Sequence, residues 1–128
     1  MRLLLDTHAF LWFINDSEEL SHEARTAIED GENDLFLSYA SLWEMAIKIS
    51  LGKLSMPEPF DHFINEQIQL NQISLLSFTV QQIAPLATLP FHHRDPFDRM
   101  LIAQALSENL PVLSRDAAFD AYGIQRFW

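Results

Sequence analysis

Arg2-Leu3-Leu4-Leu5-Asp6 begins the chain with three consecutive leucines that stop at a carboxylate. The run is too short for a helix, and it lacks the apolar–polar alternation of a half-exposed strand. A strand buried on both faces reads this way, and such strands belong to parallel sheets covered by helices on either side. Working outward, the pattern recurs. Short apolar runs at residues 35–38, 73–76 and 111–113 are further strands, and 124–127 makes the sheet one of four or five. Helical segments fall between them. There is an aromatic turn at 8–14, a helix capped by Ser21 and running to Ile28, and another at 41–51 ended by Gly52. Pro57 and Pro59 open an amphipathic helix that carries Phe60, Phe63, Ile64 and Ile68 on one face. A helix at 79–86 follows, and the strongest one runs from Asp95-Pro96 to about Asn109. Alternation of this kind predicts an α/β domain with a short, mainly parallel sheet.

Composition sets the bounds. A chain of 128 residues is expected to form one domain, residues 1–128, with a core large enough to need no staples. With no cysteine, any bound metal must be held by oxygen or imidazole. The leucine run ends too soon for a signal-peptide core, and no apolar stretch approaches the roughly 18 residues of a membrane span. The expectation is a soluble cytoplasmic protein. The net charge of −10 argues against a nucleic-acid substrate until it is mapped. Residues 16–34 hold eight acids against Arg25 alone, a net of −7. The other ten acids face seven bases, and without Asp6, Glu44, Asp98 and Asp116 that remainder is +1. The acidity is a local flank.

Those four acids carry the chemistry. Asp6 follows the first strand, and Glu44 shares a helical stripe with Ala40, Ile47 and Leu51. Asp98 heads the stripe Leu101, Ile102, Ala105, and Asp116 comes just past Pro111-Val112-Leu113. In open parallel sheets, ligands bind beyond the carboxyl ends of the strands where the strand order reverses, so all four can reach one crevice. Two carboxylates about 5 Å apart repel by roughly 3 kcal/mol at an effective dielectric near 20. In a cluster of four, either some are protonated or a cation is present, and Mg²⁺ or Mn²⁺ suits all-oxygen donors.

Each acid also has an ordinary structural explanation. Glu44 completes a capping box with Ser41, or pairs with Lys48 one turn on. Asp95 before Pro96 is better read as a helix cap than as a ligand, and it places Asp98 in the first turn, where the helix dipole favours an anion. Asp116 can cap a short helix at 117–121. Capping explains Asp6 least well.

The stretches Asp6-Thr7-His8-Ala9-Phe10-Leu11-Trp12, Ser41-Leu42-Trp43-Glu44-Met45-Ala46-Ile47-Lys48, Gly52-Lys53-Leu54, His93 through Ala105, and Ser114-Arg115-Asp116 together resemble the PIN-domain ribonucleases. They are most similar to the VapC-type toxins of type II toxin–antitoxin pairs, and they follow the family's order along nearly the whole chain. The resemblance implies a three-layer α/β/α domain and an endoribonuclease that depends on Mg²⁺ or Mn²⁺. By the same resemblance Asp6, Glu44 and Asp98 match the metal-binding acids, and Asp116 the fourth acid, acting through water or a second ion. It also implies a homodimer and a small antitoxin as partner.

The neighbouring residues then acquire roles. Thr7 and Ser114 offer hydroxyls to orient a ligand or a metal-bound water, or are plain turn residues. Arg94, Arg99 and Arg115 are candidates to hold phosphate, or to form ion pairs with Asp95, Asp98 and Asp116. His8, His92 and His93 show no metal-ligand spacing and are not expected to be essential. Trp12, Phe13 and Trp43 read as core, or as part of an apolar groove for an antitoxin helix. The main alternative is an inactive binding module for RNA or an Arg-rich protein segment, against which the retention of all four acids counts. A phosphoryl-transfer receiver or phosphatase would want a second acid near Asp6 and a late lysine, and no lysine follows Lys53.

Overall fold

Leu3 and Leu5 point to one side of their strand and Leu4 to the other, and all three are buried. That single strand therefore builds two cores. In the computed structural model, which describes residues 1–128, β1 (Arg2–Leu5) is the centre of a five-stranded sheet. It pairs in parallel with β2 (Asp34–Ser38) on one side and β4 (Val112–Leu113) on the other. Beyond them lie β3 (Ile73–Leu76) and β5 (Arg126–Phe127), giving the order β3-β2-β1-β4-β5 with every pair parallel. The expected four or five strands are five.

One face of the sheet presents Leu3, Leu5, Leu35, Leu37 and Leu113. On it pack α1 (Thr7–Ile14), α2 (His22–Glu29), α3 (Tyr39–Ser50) and α4 (Phe60–Leu70), which contribute Phe10, Ala24, Met45 and Ile64. The other face presents Leu4 and Val112 to Leu101, Ile102 and Ala105 of α6 (Pro96–Glu108), with Phe119 and Ile124 closing the layer. The result is a three-layer α/β/α arrangement. Each fully buried leucine contributes about 1.5–3 kcal/mol relative to exposure, so β1, buried on both faces, ties the two cores together. No helix is long and apolar enough to cross a membrane.

Two helix readings need correction. α3 starts at Tyr39 rather than 41, because the Ser38 hydroxyl at the end of β2 accepts the Ala40 amide and caps the helix there. Ser41 is then inside the helix, and the capping box with Glu44 does not form. The helix expected at 79–86 is α-helical only over α5 (Val80–Ile83), opened by a capping box between Thr79 and Gln82. It continues as a 3-10 turn at Ala84–Thr88, where Pro85 has no amide to donate.

The topology fixes where a site can be. The chain steps from β1 outward to β2 and β3, and then returns through α6 to β4 and β5 on the other side. The strand order reverses at β1 and β4, and a crevice opens beyond their carboxyl ends.

Candidate active site

Asp6 leaves the end of β1 with its amide bonded to the Leu113 carbonyl at 3.1 Å, which joins the ends of β1 and β4. It occupies the N-cap position of α1, yet its side chain caps nothing. The carboxylate instead accepts the Ser114 hydroxyl at 2.7 Å. Ser114 also accepts the Asp116 amide at 3.0 Å, so one buried hydroxyl positions both acids. Thr7 spends its hydroxyl on Ser41 at 2.8 Å and binds α1 to α3 rather than orienting an acid.

Asp98 stands in the first turn of α6. Asp95 is the cap, accepting the Phe97 and Asp98 amides at 2.8 and 3.2 Å, as the Asp95-Pro96 pair implies. Asp116 follows β4 and accepts the Ala118 amide at 2.9 Å to cap the 3-10 turn Ala117–Tyr122. Its other oxygen meets His93 Nε2 at 2.9 Å. Asp6, Asp98 and Asp116 line one crevice of about 270 Å³ together with His8, Trp12 and Arg115.

Glu44 is buried on α3 but does not line that crevice. Its carboxylate is paired with Lys48 at 2.9 Å, so the one-turn ion pair, not the capping box, is its local contact. It still lies near enough to add its negative field to Asp6 and Asp98.

The field within the crevice is visible in the acids. Burial pushes the Asp6 carboxyl above its usual range, against the opposing pull of the Ser114 hydrogen bond and the field of His8. Asp98 is raised to about 7, first by burial and then by the charges of Asp6 and Asp95. Asp116 goes the other way. Burial raises it, but the Ala118 amide and His93 outweigh burial and hold it below the usual carboxylate range. A carboxyl whose anion is disfavoured by neighbouring anions is a place where a cation gains most. One ligand atom each from His93, Asp98 and Asp116 lie within 4.8 Å of one another, close enough to share one ion.

Sequence reasoning set His93 aside, and the structure puts it beside two of the acids. It is buried against Phe119 and Tyr122 with Nδ1 unpartnered. No fixed spacing of ligands along the chain signals this, because Asp116 comes from beyond β4, 23 residues later.

Arg99 does not fit its expected role. Its guanidinium is buried and donates to the carbonyls of Leu89, Pro90 and His93 at 3.1–3.3 Å, over the Phe91 ring. Those donors are committed to backbone and are not free for phosphate. Arg115 lies over Trp12 at the mouth of the crevice, and its one ion pair is with the exposed Glu19, at 2.6 Å. None of the three arginines forms the expected ion pairs with Asp95, Asp98 or Asp116.

Trp12 and Phe13 pack half-buried against the first core. Trp43, read as core, is 60% exposed. It stands edge-on to Phe97 at 5.3 Å, in an apolar groove of about 290 Å³ floored by Ala40 and Met100.

The PIN domain family matches residues 3–125. Ribonuclease VapC16 of Mycobacterium tuberculosis is 39% identical over 56 residues, which cover 44% of this chain and 40% of that protein. The match therefore spans well under half the length of this curated relative. Among solved structures, VapBC2 from Rickettsia felis bound to a promoter DNA fragment superposes with a TM-score of 0.72 at 14% identity, covering 99% of this chain and 98% of that one. FitAcB from Neisseria gonorrhoeae gives 0.66 at 18% identity, covering 98% and 96%. DNA-bound VapBC from Salmonella typhimurium gives 0.63 at 17%, covering 99% and 97%. At such identities the likeness is one of fold.

Proposed function

The chain belongs to the PIN domain family, and from that premise we propose that it is a metal-dependent endoribonuclease, the toxin of a toxin–antitoxin pair. The observation that carries the reading is the crevice at the strand reversal, where Asp6 and Asp98 are both held in surroundings that disfavour their anions. The donor set fits a hard divalent ion, Mg²⁺ or Mn²⁺, because it is almost entirely carboxylate oxygen. Asp6 and Asp98 would hold it, Asp116 would reach it directly or through water, and Glu44 would join by giving up Lys48. When bound, such an ion makes a hydroxide available at neutral pH and offsets charge on the leaving oxygen.

The chain's own residues supply the rest. Ser114 keeps Asp6 aimed into the crevice and ties its position to that of Asp116. Asp95 fixes the first turn of α6, and with it Asp98. His93 holds the free oxygen of Asp116. Arg115, at the mouth, is placed to take a backbone phosphate. The apolar groove at Trp43 suits one face of an amphipathic helix, which supports a small antitoxin as partner. A homodimer and a cytoplasmic location complete the reading.

The test is direct. RNA incubated with the purified protein is cut in Mg²⁺ or Mn²⁺ and left intact in EDTA. Asp6→Asn and Asp98→Asn abolish the cutting without unfolding the protein, and both relieve growth arrest on expression. Wild-type cleavage by either variant removes the assignment. RNA or protein binding without cleavage by the native chain establishes the inactive binding module instead.

A further inference from the structure

Of the six side chains around the crevice, only Arg115 carries a permanent positive charge. Three of the others are carboxylates, which repel the phosphates of any strand that enters. The surroundings of Arg115 are therefore decisive for binding, and they are specific. Its guanidinium carbon lies 4.5 Å from the centroid of the Trp12 indole. That indole is held in turn by an edge contact to Trp128 at 5.8 Å and a tilted contact to His8 at 5.4 Å. The guanidinium donates through Nη1 to Glu19, at 2.6 Å and across 96 residues of sequence. Both partners of this ion pair are more than half exposed, so it adds little to the stability of the fold. A guanidinium fork pairs with carboxylate and phosphate in the same geometry. Glu19 thus occupies, through one oxygen, a donor of Arg115 that a phosphate would use.

We infer that Glu19 is a built-in competitor for the RNA backbone. Arg115, stacked on Trp12, exchanges the Glu19 carboxylate for a phosphate of an incoming single strand, so Glu19 sets the affinity of the crevice for RNA. The inference rests on the endoribonuclease reading above. The exchange costs little because the ion pair it breaks is solvated. Trp12 keeps the cation at the mouth while its partner changes, which a lysine ammonium on a flexible stem would not achieve.

The experiment is a binding cycle in protein carrying Asp98→Asn, which retains the crevice without cutting. Fluorescence anisotropy of a labelled, mixed-sequence single-stranded RNA is measured in Mg²⁺ for Glu19→Gln, Arg115→Ala and the pair combined. Glu18→Gln, an equal change of charge on the same exposed flank, is the control. Glu19→Gln tightens binding roughly threefold, the scale of an exposed ion pair, and Glu18→Gln has a smaller effect. Arg115→Ala weakens binding and lowers the slope of log affinity against log salt by about 0.7, the loss of one phosphate contact to a single strand. In the Arg115→Ala background, Glu19→Gln has no effect, and Arg115→Lys does not restore native binding. Equal tightening by Glu19→Gln with and without Arg115, or by Glu18→Gln, overturns the inference. If the native chain cuts RNA while the cycle shows no coupling, the competitor role alone falls. If the native chain neither binds nor cuts RNA, the nuclease reading falls with it.

Discussion

Replacing Asp98 with asparagine should make the metal-free protein more stable at pH 8, although it removes a central residue of the site. Asp98 is raised from 3.8 to about 7 by burial and by the charges of Asp6 and Asp95. Its anion is therefore less welcome in the folded chain than in the unfolded one. The folded state holds the proton over a range where the unfolded state has lost it, so stability falls as pH rises from about 4 to about 7 and stays low above that. Taken at face value the shift corresponds to about 4 kcal/mol at pH 8. Asp98 is only half-buried, and solvent screening reduces this to roughly 2 kcal/mol. Asparagine keeps the shape and drops the charge. In EDTA at pH 8, Asp98→Asn should melt roughly 6–10 °C above the native chain. The gap should narrow steadily as pH falls and vanish near 4. Thermal melts followed by circular dichroism across that range provide the assay. Excess Mg²⁺ should raise the native melting temperature and leave the variant nearly unmoved. A variant less stable than the native chain at pH 8, or a gap that does not depend on pH, would refute the claim that Asp98 sits in uncompensated negative surroundings.

Other substitutions test the framework around the crevice. Ser114→Ala removes the hydroxyl shared by Asp6 and the Asp116 amide, and should cost about 1–3 kcal/mol in urea unfolding while lowering cleavage. A loss of stability with full activity would show that Ser114 does not aim Asp6. Arg99→Lys should destabilise by about 2 kcal/mol or more, because a single nitrogen cannot span carbonyls that are served from both Nη1 and Nη2 of the guanidinium. Trp43→Ala should change the free energy of urea unfolding by no more than about 1 kcal/mol, since the side chain is mostly in solvent. A large loss there would mean that Trp43 supports the core after all.

The fold was legible because its signals are local. Three leucines ending at Asp6 specify a strand buried on both sides, and Asp95-Pro96 specifies the start of α6 to the residue. The start of α3 was misplaced because Ser38 and Ser41 are both good caps, and only the end of β2 decides between them. Within the site, the reading of Asp6 and Asp98 rested on acids beside apolar runs, and the fold brings both to one crevice with Asp116. What was hidden depends on partners that only tertiary structure supplies. An arginine one residue after a crevice acid looks like a phosphate ligand until three carbonyls from residues 89, 90 and 93 turn out to claim it. His93 looked unremarkable because Asp116 reaches it from beyond the end of β4, 23 residues along the chain.

The three carbonyls on Arg99 have a further consequence. They hang the irregular stretch that leads to His93 from α6 by a group that never loses its proton in a folded protein. That anchor does not depend on acidity, whereas Asp98 on the adjoining turn has its carboxyl raised to about 7. A change of pH across this range alters the charge of the crevice while the Arg99 anchor stays in place. A permanent cation thus secures the approach to α6 while a titrating carboxyl opens the helix, so the appetite for cations can be retuned without loosening that anchor.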